Sequence, residues 1–134
     1  MLPNDFLKTI YLGDRAFKSL TMNGWEDRVV IQIDEISRVR DPSGTWNFYN
    51  DENIVDGLLV FSEARSILFK PPGIIPNDYI DNLNAEPLPD GFYRFTISAG
   101  SVDEKSQSTD VLITIDAKRL HLEDPARPGI AIES

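Results

Sequence analysis

The chain has 134 residues, of which 41% are hydrophobic and 26% charged, with 22 acidic against 13 basic side chains and a formal net charge of −9. No cysteine is present, which excludes disulfides, thiolate nucleophiles and cysteine-ligated zinc. The acidic balance leaves no basic stripe to displace counterions from nucleic acid or an anionic membrane, and it suits a basic protein partner or plain solubility. The length fits a single domain over residues 1–134, and its apolar runs fall far short of the ~20 residues that a spanning helix needs. The start, Met1-Leu2-Pro3-Asn4-Asp5, has no basic segment followed by an apolar core, so a cytoplasmic location is expected.

Pro3-Asn4-Asp5 followed by Phe6, Leu7, Ile10 and Tyr11 predicts a short helix capped by Asn4 or Asp5 and ended by Gly13. Ala16 to Met22 predicts a strand that turns through Asn23-Gly24, with Trp25 beside the turn and Arg28 to Asp34 returning. The returning strand carries the pattern V-x-I-x-I-D in Val29, Ile31, Ile33 and Asp34. The same pattern recurs in Val111, Ile113, Ile115 and Asp116, and both copies run on into a Pro and a Gly. The opening phrase also recurs, as Pro76-Asn77-Asp78-Tyr79-Ile80 with Leu83 completing an apolar face, which predicts a second helix. Because helix, strand, turn and V-x-I-x-I-D strand follow in the same order twice, an internal duplication is expected, with halves 3–44 and 76–129.

After each V-x-I-x-I-D run the apolar phase slips, from Ile33 to Ile36 and from Ile115 to Leu120. A period-2 strand changes face only at a bulge or bend, so kinks are expected near Asp34-Glu35 and Ala117-Lys118. Asp41 to Gly57 reads as an ordered loop, because Trp46, Phe48 and Tyr49 need burial. A hairpin over residues 58–70 is expected between the halves, one strand from Leu58 to Phe61 and another from Arg65 to Lys70, stopped by Pro71-Pro72-Gly73. Phe92 to Ala99 predicts a strand with Tyr93, Phe95 and Ile97 on one face, followed by a polar tip from Gly100 to Thr109. The fold class is therefore α+β and mainly β: a bent or two-layered antiparallel sheet with two short helices. Val29, Ile31, Ile33, Val111, Ile113, Ile115, Tyr93, Phe95 and Ile97 are its expected core.

Candidate chemistry is sparse. His121 is the only histidine, and no nucleophile context surrounds the serines. Asp34 and Asp116 end equivalent strands, so they read either as strand-end hydrogen-bond acceptors or, across a pseudo-twofold axis, as a cation or acid/base pair. The run Asn47, Asn50, Asp51, Glu52, Asn53 and Asp56 fails the EF-hand register, and neither a phosphate-cradling nor a dinucleotide-binding glycine motif occurs. No catalytic, metal or cofactor residue is assigned, and the protein is not expected to be an enzyme. Trp25, Trp46, Phe48 and Tyr49 read as core or, alternatively, as aromatics on an acid-rimmed loop of the kind that anchors a protein partner. On the second reading the contact residues are Trp46, Tyr49, Asp51, Glu52 and Asp56.

The segments Ser37-Arg38-Val39-Arg40-Asp41-Pro42-Ser43-Gly44-Thr45-Trp46-Asn47-Phe48-Tyr49 and His121-Leu122-Glu123-Asp124-Pro125, with the Pro3-Asn4-Asp5-Phe6-Leu7 start, resemble a family of small bacterial proteins known only as a domain of unknown function. In size and character the chain is also similar to immunity proteins that neutralise polymorphic toxins. That likeness implies a cytosolic protein-binding module acting on a basic toxin. The rival expectation is a small-ligand-binding protein or enzyme with its pocket between the two halves.

Overall fold

A computed structural model describes residues 1–39 and 52–134. Among these residues, the helix α1 (Pro3–Leu7) is followed by β1 (Ile10–Tyr11), β2 (Phe17–Asn23), β3 (Arg28–Ile33) and β4 (Glu35–Arg38). Then come β5 (Asn53–Val55), β6 (Leu58–Lys70), β7 (Ile80–Pro87), β8 (Tyr93–Val102) and β9 (Ser108–Glu123). The strands form two antiparallel sheets, a six-stranded one in the order β2-β3-β6-β9-β8-β7 and a small one in the order β1-β4-β5. The fold is thus mainly β. The large sheet curls until its edges meet at one isolated bridge, Ala16 with Tyr79, and does not close further.

The first kink is found where the phase slip places it. The chain bends at Asp34, leaving the large sheet as β3 and entering the small one as β4, so that Ile33 and Ile36 are both fully buried despite opposite parity. The second lies within the long β6–β9 pair. Lys118 and Arg119 are both exposed, Glu63 opposite Lys118 has a left-handed φ of 50°, and the register shifts between Ala64 and Ser66. A left-handed residue and a bulge let Leu120 and Leu122 face the same core as Ile113 and Ile115.

Three expectations are corrected. The segment Pro76 to Leu83 is not a second helix: the Asn77 and Asp78 N–H groups both donate to the Gly100 carbonyl, and Ile80 donates to Arg15. Asn77 joins the end of β8 through its side chain as well, accepting from Val102 N–H at 2.8 Å and donating to its carbonyl at 3.0 Å. Good capping chemistry is used here on a strand end. Residues 58–70 are not a hairpin but the single strand β6, because β9 pairs with it throughout and removes any need to turn. The first helix begins after Leu2, without a side-chain cap, and stops early. Thr9 closes it, donating from both its N–H and its hydroxyl to the Phe6 carbonyl, and Ile10-Tyr11 then pairs with β4.

The duplication gains no support. The first V-x-I-x-I-D copy pairs with Leu58 to Phe61 at the start of β6, whereas the second pairs with Ser66 to Lys70 at its far end, on the opposite flank. One copy ends its strand and the other continues to Glu123. The alternation within each copy nonetheless assigns the faces correctly. Ile31, Ile33, Phe95, Ile97, Val111, Ile113 and Ile115 are fully buried and Val29 nearly so, with Tyr93 half-buried at the margin. Phe61 and Phe95 meet edge to face at 5.1 Å in the middle of this core.

Truncating a fully enclosed branched side chain removes its transfer energy and leaves a void. Ile31→Ala and Ile113→Ala are each expected to cost about 2–5 kcal/mol in urea unfolding. A loss below about half a kcal/mol at both positions would contradict the face assignment.

Candidate functional site

The expected contact residues are dispersed. Trp46, Tyr49 and Asp51 lie outside the described residues. Glu52 and Asp56 sit at opposite ends of β5 and are engaged with different neighbours. The Glu52 carbonyl accepts from Arg38 N–H at 3.0 Å, and the residue borders a cavity of about 250 Å³ with Asp124, Arg127 and Ile130. Asp56, at a left-handed φ of 53°, accepts from Lys18 Nζ at 2.6 Å, while its carbonyl accepts from Gln32 Nε2. It tethers β2 to the start of β6.

Asp34 and Asp116 do not form a pair. Asp34 Oδ1 accepts from Ala16 N–H at 2.9 Å, the strand-end role available to it from sequence. Asp116 lies on the outer face of β9, opposite Arg94 of β8 and Ser66 of β6, and is only 5% exposed. Arg94 donates to it bidentately, Nε to Oδ1 and Nη2 to Oδ2, both at 2.9 Å. Those hydrogen bonds and the nearby Arg94 and Arg65 charges hold the Asp116 carboxyl below the usual carboxylate range against the opposing effect of burial. Arg65 in turn stacks over the Phe92 ring at 3.8 Å and bonds Asp90. This network ties β6, β8 and β9 together over the bulge and is internally satisfied. His121 Nε2 lies 3.0 Å from Glu123 Oε1, which also accepts from Arg28 at 3.2 Å, so its neighbours are structural too. Among the described residues, no group of three or more metal-ligating side chains converges.

The feature that the fold itself leaves unused is the β2–β3 hairpin. Asn23 Oδ1 accepts from Glu26 N–H at 3.1 Å to shape the tip, and the Asp27 carbonyl accepts from Ala64 N–H at 2.8 Å to hold the tip against β6. On this tethered turn Trp25 is 96% exposed, three residues after Met22, itself 59% exposed, and directly before the acids Glu26 and Asp27. Below the hairpin, Phe17 and Leu20 of β2 face Phe69, Ile74, Ile75 and Pro76 across an open cleft of about 340 Å³. Its polar side chains are Lys18 and Ser19, and Lys18 is already bonded to Asp56. The sequence places Trp25 beside a turn but does not decide between core and solvent. The signal that favours solvent is the Asn23-Gly24 tip together with the following Glu26-Asp27 pair.

Asp116 sets an acid limit on stability. Its folded pKa lies below the unfolded value, so its contribution is complete above the unfolded carboxylate range and is lost as pH falls through the folded value. Asp116→Asn is therefore expected to lower the melting temperature by about 5 °C at neutral pH, with the gap to wild type narrowing steadily below about pH 4. Thermal melts across that range check it, and a gap that widened in acid would contradict the assignment.

No curated protein and no solved structure matches the chain. No helix among the described residues is long and apolar enough to cross a membrane. Ion pairs that satisfy one another and an indole that the fold does not use leave the chemistry to be inferred from the surface. Residues 1–134 match the model of a family of unknown function (DUF6258), and the chain belongs to that family.

Proposed function

We propose that this protein is a protein-binding module whose contact surface centres on the β2–β3 hairpin. The observation that supports it is Trp25, held almost wholly in water on a tip that is itself anchored to β6. A large rigid aromatic gains most from burial and loses little side-chain entropy on binding, which is why such residues dominate interface energetics. Glu26 and Asp27 beside it, and the net charge of −9, suit a partner with a basic rim. Neutralisation of a basic toxin in a bacterial cytoplasm is the concrete version of this reading, and the charge is its support.

A small-ligand reading has the apolar cleft between β2 and residues 73–76 in its favour. Ligand sites orient their occupants with several converging polar groups. This cleft offers Ser19 and a lysine already paired with Asp56, so partner binding is the better supported reading.

Affinity capture from the native cell, with wild type and Trp25→Ala compared side by side, tests the proposal. A protein retained by wild type and released at least about tenfold faster by Trp25→Ala is expected, with added salt slowing association. Equal retention by both baits, or no protein above background, would overturn it.

A further inference from the structure

The two edges of the large sheet are built differently. β7 carries Asp81, Glu86 and Pro87 and a register shift between Ile80 and Asn82, which are the usual guards against edge-to-edge pairing. β2 has its irregularity at Lys18, and from Ser19 to Asn23 it contains neither charge nor proline. Among the described residues, one edge is blocked and the other is open.

The hydrogen-bond parity shows which backbone groups the open edge presents. In an antiparallel ladder, successive residues bond to alternate sides. Ile33 donates toward β6, to the Gly57 carbonyl at 2.9 Å, and its partner Phe17 donates away from β3, to the Asp78 carbonyl at 2.9 Å. Leu20 opposite Ile31 and Met22 opposite Val29 share that parity, so their N–H and C=O groups point to the open edge. Among the described residues, no backbone partner meets them. Beyond Asp78 the neighbouring chain veers away from β2, and the gap is the cleft lined by Phe17, Leu20, Phe69, Ile74 and Ile75. Leu20 lies on the face of its core partner Ile31, so a residue beside Leu20 on an added strand falls over the cleft.

We infer that the β2 edge and the adjoining cleft form a groove for an extended peptide segment of a partner protein. The segment adds as a strand along Ser19 to Asn23 and seats one large apolar side chain in the cleft, with lysine or arginine flanking it. Main-chain bonds to Leu20 and Met22 supply the pairing and the cleft supplies the selectivity. Charge selects the occupant: Glu26 and Asp27 stand at the hairpin end of the groove, and Lys18, the one basic side chain lining it, is already bonded to Asp56. A second copy would bring these acids, and its own net charge of −9, against themselves, whereas a basic-flanked segment meets them favourably. This names the binding mode of the hairpin surface and rests on the protein-binding reading.

The test uses the full chain and a displayed library of random linear peptides, with affinities of the selected peptides measured by fluorescence anisotropy. Selected sequences are expected to share one large apolar residue with lysine or arginine nearby. Met22→Pro deletes an outward N–H and leaves the β3 ladder whole, so it is expected to weaken binding about tenfold, while Met22→Thr, which keeps the N–H, changes it by less than about threefold. Ile75→Asp, at a position 79% exposed and therefore tolerant of charge, is expected to weaken binding comparably to Met22→Pro. Thermal melts establish that each variant is folded. Failure to select any peptide, or equal binding by wild type, Met22→Pro and Ile75→Asp, would overturn the inference. So would wild-type self-association in sedimentation that Met22→Pro abolishes, since the edge would then belong to a second copy. A native partner that needs Trp25 but is indifferent to Met22→Pro would overturn the strand mode and leave the protein-binding reading standing. Peptides that need the Met22 N–H, with no Trp25-dependent native partner, would do the reverse.

Discussion

The ladder between β6 and β9 is the constraint on which the rest of the molecule depends. It runs from Leu58 opposite Glu123 to Lys70 opposite Leu112, and β3 on one flank and β8 on the other attach the two hairpins to it. A straight pair of this length would turn Leu120 and Leu122 to the face opposite Ile113 and Ile115, splitting the core in two. The left-handed Glu63 and the register shift at Arg65 prevent this, and the Arg94–Asp116 pair clamps the outer face where the shift occurs.

The curl that follows from this bend also creates the surface of interest. β3 pairs with the first part of β6 only, up to Phe61, so the β2–β3 hairpin and the far end of β6 diverge and leave space between Leu20 and Phe69. The edges of the sheet then approach closely enough for one bridge at Ala16 and Tyr79, yet not closely enough to cover Leu20 and Met22. The open edge and the apolar cleft thus share one geometric cause, and the exposed indole stands at the tip of the same hairpin.

The small sheet shows a different solution to burial. Arg38 is completely enclosed, with its guanidinium 5.5 Å from the Phe6 ring centre and Nη2 donating to Thr9 Oγ1 at 3.1 Å. Enclosing an ionised side chain is costly unless hydrogen-bond acceptors receive its N–H groups, and an aromatic ring face adds a further favourable contact. Here α1 and the turn after it supply the ring and two acceptors, which gives the five-residue helix a structural purpose beyond its length.

The alternation of Val29, Ile31 and Ile33, of Phe95 and Ile97, and of Val111, Ile113 and Ile115 was sufficient by itself to place those residues in the core, and the phase slips after Asp34 and near Lys118 were sufficient to locate both bends. Burial periodicity is a local property, which is why it is legible in a single chain. Local chemistry misleads where its partners are distant. Pro76-Asn77-Asp78 has the residues of a helix start, but Gly100 and Val102, over twenty positions away, take its hydrogen bonds. Leu58 to Lys70 reads as two strands until β9 is present to pair with all of it. For the same reason only the tertiary structure decided that Asp116 belongs to Arg94 rather than to Asp34, that β2 is an edge, and that Trp25 faces water: each depends on which strand comes to lie alongside, and the chain settles that only when it closes over its core.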